Sequence, residues 1–171
     1  MLVGAMASDL ERTVVRFAPR SIARYRLSLV REGRVPYDEP AACRSPVAAA
    51  RFLHGVLDDA HQKVMGALLL DCRTRAVGYH IAYRGTLSRA AAEPRGLLVP
   101  ALLANASGII VFHNHPSGDP SPSSEDVAFT ARLASAGEVV GVELLDHLII
   151  GERPSYVSLK ERCPSPWHPG K

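Results

Sequence analysis

The sequence predicts an α/β domain, a mixed sheet with helices on its faces, and three observations carry that expectation. Two strand-like runs, Lys63 to Leu70 and Ala76 to Arg84, flank a short turn, Asp71 to Arg75, as in a hairpin. The apolar run Gly108-Ile109-Ile110-Val111-Phe112 leads through a polar loop into the helix-like run Val127 to Ala136. A last apolar run, Glu143 to Ile150, follows that helix. Hairpins mixed with helical crossovers give a mixed sheet covered by helices.

Size and composition set the bounds. The chain has 171 residues, enough for one domain with extensions and a real core. With 47% hydrophobic and 22% charged residues it reads as an ordinary soluble globular protein. A net charge of +3 without a dense Lys/Arg run permits DNA as a partner but does not argue for it. Cys43, Cys72 and Cys163 are odd in number and have no CxxC spacing, which argues against a disulfide framework and a cysteine zinc site and suits a reducing cytoplasm. Met1 to Ser8 lacks the flank and apolar length of a signal peptide, and no run reaches the ~20 apolar residues of a membrane helix. The expected location is cytoplasmic.

Residues 1–44 read as an N-terminal extension. Arg12, Arg16, Arg20 and Arg24 recur every four residues, but Pro19 interrupts any helix there. A solvated arm and a phosphate-binding arm are both open. Tyr25 to Arg31 alternates as an edge strand would, and Glu32 to Arg44 reads as a linker.

Residues 45–162 form the expected domain. Ser45-Pro46 marks a helix start, with Val47, Phe52, Leu53, Val56 and Leu57 on the buried side. After the hairpin, a helix from about Gly96 to Ala106 places Leu97, Leu98, Leu102 and Leu103 toward the core despite Pro100. The helix from Ser123 to Ala136 ends where Gly137 supplies a C-cap. Residues 163–171 form an irregular tail.

The chemistry concentrates between His113 and Asp126. Residues two apart on a strand share a side, so His113 and His115 project together and can share one ion. Neutral imidazoles and a carboxylate are usual zinc ligands, and Asp126 lies in the first turn of a helix, whose dipole favours its charged form. Zinc lowers the pKa of a bound water to roughly 7, which suits hydrolysis at neutral pH. A plainer reading stands beside this one. Ser123 lies three residues before Asp126 as in a capping box, and two histidines can simply satisfy a loop.

His-x-His, seven residues, Ser, two residues, Asp resembles the metal motif of the JAB/MPN metalloprotease (JAMM) superfamily. The wording His113-Asn114-His115-Pro116-Ser117-Gly118, with Pro122-Ser123 and Asp126, is similar to its RadC-like branch. Gly85-Thr86-Leu87, Pro94-Arg95, Leu145-Asp146-His147, Ile149-Ile150-Gly151 and Tyr156-Val157-Ser158 match as well, over about residues 45–162. The resemblance implies a three-layer, cytidine-deaminase-like fold with Zn2+ on His113, His115 and Asp126. It implies hydrolysis of a peptide or isopeptide bond, with Ser123 stabilising the oxyanion. The branch's name points to DNA repair.

One position departs from the pattern. Active members use a glutamate on the first core strand as general acid/base, eight residues before the Asp that closes it. With Asp71 as that Asp, Lys63 stands there, and no acid lies between Lys63 and Leu70. An ammonium accepts no proton, and loss of a general base costs ~10²–10⁴ in rate. Glu93, before Pro94-Arg95, is a candidate replacement; a surface glutamate paired with Arg95 or Arg89 is the plainer reading. Asp146 and His147 are candidates for orienting a ligand histidine, or else a satisfied structural pair.

The readings are therefore a zinc amide hydrolase and a zinc-stabilised interaction or DNA-associated module without turnover. A contiguous His-Asn-His does not fit HNH nucleases, where those residues are spread over a ββα unit. A nucleobase deaminase needs H-x-E with a CxxC, and neither is present.

Overall fold

Two runs of unbroken apolar residues make the middle of the sheet. In the computed structural model, which describes residues 24, 26–35, 43, 45–57, 62–85, 92–163 and 167, β1 (Val64–Leu70) and β3 (Gly108–Asn114) are buried at every position. Strands buried on both faces need a helical layer on each. Here α1 (Pro46–Leu57) covers one face, and α2 (Pro94–Leu103) and α3 (Ser124–Val140) cover the other.

Alternation sorts the side chains. Met65, Ala67 and Leu69 of β1 join Ile109 and Val111 of β3, Leu97 and Leu98 of α2, and Phe129 and Leu133 of α3. Val64, Leu68 and Leu70 join Ile110, Phe112 and Leu53 of α1 on the other side. Each fully buried Leu, Ile or Phe contributes about 1.5–3 kcal/mol through removal from water.

The sheet has five strands in the order β2-β1-β3-β4-β5. β2 (Ala76–Arg84) forms the expected antiparallel hairpin with β1, and β1 pairs antiparallel with β3. β4 (Glu143–Ile150) lies parallel to β3, joined by α3 as crossover. A short β5 (Tyr156–Ser158) turns back along β4 and leads into α4 (Leu159–Arg162). This is the expected α/β three-layer arrangement with a mixed sheet.

Several local expectations are corrected. Residues 26–35 form no strand; Leu27, Leu29 and Val30 are 75%, 53% and 83% exposed, with no ladder to join. Val47 points outward, and Ala49 and Ala50 take the buried side of α1 with Leu53 and Leu57. Leu102 is exposed and Leu103 half-buried, because Leu97, Leu98 and Ala101 already fill the core stripe of α2. The C-cap of α3 is Gly141, at φ +73, and not Gly137. Gly137 sits one turn earlier against the Val142 carbonyl, where a Cβ would collide. Arg12, Arg16, Arg20 and Tyr25, and the tail apart from Cys163 and Trp167, lie outside the described residues.

Candidate metal centre

His113 is the last residue but one of β3 and His115 follows just beyond the strand. Alternation sends both toward the α2/α3 side, the face of Val111 and Ile109. The loop is pinned on β4: the His115 N–H donates to the Ile150 carbonyl at 2.9 Å. Gly118, at φ +84, lets the turn close, its N–H donating to the His115 carbonyl and its carbonyl accepting from Glu152 N–H, both at 2.9 Å.

From the other side comes the first turn of α3. The capping box is formed: Ser123 Oγ accepts from Asp126 N–H at 3.2 Å, and Asp126 Oδ2 accepts from Ser123 N–H at 2.9 Å. Ser123 Oγ also donates to Asp126 Oδ2 at 2.6 Å. Capping thus occupies one carboxylate oxygen and leaves the other. Asp126 Oδ1 lies 3.4 Å from His113 Nε2. One donor atom each from His113, His115 and Asp126 lies within 4.8 Å of the others, so the three can hold a metal ion.

Donor and acceptor counting fixes the tautomers. The Asp126 carbonyl can only accept, so the Thr130 hydroxyl, 2.6 Å away, donates its single hydrogen there. His147 Nδ1, 2.6 Å from Thr130 Oγ1, must then be the protonated nitrogen. Burial pushes the His147 pKa down to about 4, with Lys63 and His115 adding to the effect and Asp126 opposing it. His147 is therefore neutral at pH 7, and its Nε2 accepts from His113 Nδ1 at 2.8 Å. Burial first, then the charges of His147, Lys63 and His115, hold the His113 pKa well below the ordinary value. A neutral His113 protonated at Nδ1 presents a bare lone pair at Nε2. His115 Nδ1 lies 2.8 Å from the Asp119 carbonyl, an acceptor, so it too carries its hydrogen on Nδ1.

The consequence is a conflict that a cation resolves. His113 Nε2 and His115 Nε2 face each other at 3.0 Å beside Asp126 Oδ1, and with both rings neutral each presents a lone pair. His113 and Asp126 are not an ion pair, because the imidazole is neutral. Two imidazole nitrogens and a carboxylate oxygen suit a zinc-like ion, and the hydrogen-bonded rear nitrogens are what such ligands require.

The other predicted residues separate cleanly. His147 stands directly behind His113. Asp146, its neighbour, leaves the opposite side of β4, where its carboxylate accepts from Ser158 Oγ at 2.7 Å, its own chain's His147 N–H at 2.7 Å and Lys160 N–H at 3.3 Å. It ties β5 and α4 to β4 and does not touch His113. Glu93 precedes α2 with its carboxylate 3.4 Å from Arg95, outside the clustered donors. Asp119 and Glu125 are exposed, and their carboxylates accept from Ser121 N–H and Ser124 Oγ respectively.

Lys63 is half-buried at the start of β1. Met65 pairs with His113, so Lys63, two residues earlier, emerges on the same face level with His115. Two contributors escaped the sequence reading. Thr130 lies four residues after Asp126 on the same helix face, a spacing that could have flagged it. Asn114, on the opposite face from the histidines, accepts from Val64 N–H at 2.6 Å and donates to the Gln62 carbonyl at 3.1 Å, fixing the main chain around Lys63.

A model of the RadC-like JAB domain matches residues 43–163. A UPF0758 protein of Clostridium beijerinckii is 40% identical over 118 residues, covering 69% of this chain and 51% of that protein. UPF0758 proteins of a Geobacillus species and of Listeria monocytogenes are 38% and 40% identical over 132 residues, covering 77% of this chain and 58% of theirs. The chain thus spans little more than half the length of these relatives. With the family model covering most of the chain and the histidines and aspartate grouped on its fold, this chain belongs to the RadC-like JAB domain family.

Proposed function

We propose that the chain is a zinc-binding metallohydrolase of JAMM type, acting on a peptide or isopeptide amide. One observation carries the zinc assignment: two imidazole nitrogens facing each other at 3.0 Å beside a carboxylate oxygen. When bound, zinc would supply a water with a pKa near 7 and a Lewis acid for the amide carbonyl. His113 and His115 would hold the ion through Nε2, and Asp126 through Oδ1. His147 and Thr130 keep the proton of His113 on Nδ1, so that Nε2 stays available. Ser123 sits exposed beside Asp126, and its hydroxyl hydrogen, turned from Asp126 Oδ2, would be the donor for a developing oxyanion.

Lys63 supports a second reading, a zinc-stabilised module without turnover. Its ammonium takes up no proton, and Glu93 is engaged with Arg95. A hydrolase short of its general base is slowed by ~10²–10⁴. No helix among the described residues is long and apolar enough to cross a membrane. The three free cysteines suit a reducing cytoplasm. A DNA partner finds no support in the described residues beyond the mild positive charge.

Cleavage of a panel of peptides and isopeptides by the zinc-loaded chain tests the choice. The hydrolase reading expects weak turnover that is lost with a chelator and with Ser123→Ala, and raised by Lys63→Glu. A loaded chain inert in both wild-type and Lys63→Glu forms would leave the module reading.

A further inference from the structure

A cavity of about 320 Å³ lies behind the loop that follows β3, between that loop, the end of α1 and the turn after β4. It is separate from the clustered donors, with which it shares only His115. Its floor is apolar, made by the buried Leu57 of α1 and Ile150 of β4, and Pro116 extends that surface to the rim. The exposed Ser117 and Glu152 stand at the rim. In size it falls at the small end of ligand cavities, enough for one long side chain and its main chain.

Glu152 is held in place there. Its N–H donates to the Gly118 carbonyl at 2.9 Å, and its own carbonyl accepts from Ser155 N–H at 2.6 Å and Ser155 Oγ at 2.7 Å. Gly118 leaves room for the side chain to lie across the turn: a Cβ on it would come within 3.3 Å of Glu152 Cβ and 3.6 Å of a carboxylate oxygen. Among the described residues neither the Glu152 carboxylate nor the Ser117 hydroxyl has a partner. The other ionisable groups on the wall are occupied. His54 and Arg153 have interactions of their own, and His115 Nδ1 lies on the Asp119 carbonyl. An apolar floor below a fixed, unpaired carboxylate fits a cation on an alkyl stem, since such side chains bury the stem and keep the charged head at the edge.

We propose that this cavity receives a lysine side chain of a bound peptide, its stem on Leu57 and Ile150 and its ammonium at the Glu152 carboxylate and the Ser117 hydroxyl. The peptide would then lie against the loop that carries His115. The proposal requires neither zinc nor turnover, so its failure and that of the hydrolase reading are separate results.

Titration of the 15N-labelled full chain, metal-free and zinc-loaded, with acetyl-Ala-Lys-Ala-amide tests this by amide shifts. Peptides with norleucine, alanine or glutamate in place of the lysine complete the set. Shifts should centre on Leu57, Ser117, Gly118, Gly151 and Glu152. Lysine should bind about threefold more tightly than norleucine, the effect of one ion pair at an open rim, and the difference should vanish at 1 M salt. Norleucine should in turn bind more tightly than alanine, which lacks the stem. Glu152→Gln, which leaves the main-chain hydrogen bonds in place, should bring lysine down to the norleucine level. Equal binding of lysine and norleucine, a preference that survives in Glu152→Gln, or shifts centred elsewhere would overturn the assignment. So would tighter binding of the glutamate peptide, which would assign the cavity to Arg153 and an acidic partner.

Discussion

His147 and Asp146 are neighbours in the sequence with opposite duties, because alternate residues of a strand leave on opposite faces. His147 sets the tautomer of His113, and Thr130 sets that of His147. Thr130→Val removes the acceptor for His147 Nδ1–H, and His147→Ala removes the acceptor for His113 Nδ1–H. Each should weaken zinc binding about 10–100-fold, the usual cost of losing a group behind a ligand. Competition with a chromogenic chelator measures it. Asp146→Asn should leave zinc affinity alone and lower stability by about 1–3 kcal/mol in denaturant unfolding, since it loosens the hold on Ser158 and Lys160. The motif told the reader which residues matter; it could not tell these two apart, because the strand's facing depends on its register against β3.

At the level of elements, the strands were legible and their margins were not. β2 and β4 fall where the sequence places them, since long apolar or alternating runs bounded by turns leave few alternatives. Tyr25 to Arg31 carries the same alternation, yet residues 26–31 form no strand, because a strand also needs a partner. Gly137 and Gly141 are four residues apart, and either could end α3. The choice falls on Gly141 because Val142 must run down against Gly137 to begin β4, with Val142 N–H donating to the Gly137 carbonyl at 2.9 Å. Gly137→Ala should therefore destabilise by about 1–3 kcal/mol through overpacking, although alanine is the better helix former. Gly141→Ala should cost about 1–2 kcal/mol for a different reason, the left-handed backbone. Thermal unfolding of both variants checks the pair; a stabilised Gly137→Ala would show that the strand approach is looser than the contact implies.

For the whole molecule, the fold explains why the centre sits where it does. β1 and β3 are buried on both faces, so His113, near the end of β3, starts from a fixed point. Asp126 arrives on the crossover helix that the parallel β3–β4 pair requires. The grouping was legible because the three candidate donors lie within one short span, whereas Lys63 enters just ahead of β1, fifty residues earlier, and only the register reveals its place. The claim on which the rest depends is the zinc on His113, His115 and Asp126. Zinc-edge X-ray absorption on the purified chain, with metal content measured alongside, tests it most directly. About one zinc per chain, with two imidazole nitrogens and oxygen ligands at about 2.0–2.2 Å and with loss of the metal in His113→Ala, is the expected result. A chain without zinc, or a zinc environment that His113→Ala leaves unchanged, would contradict it.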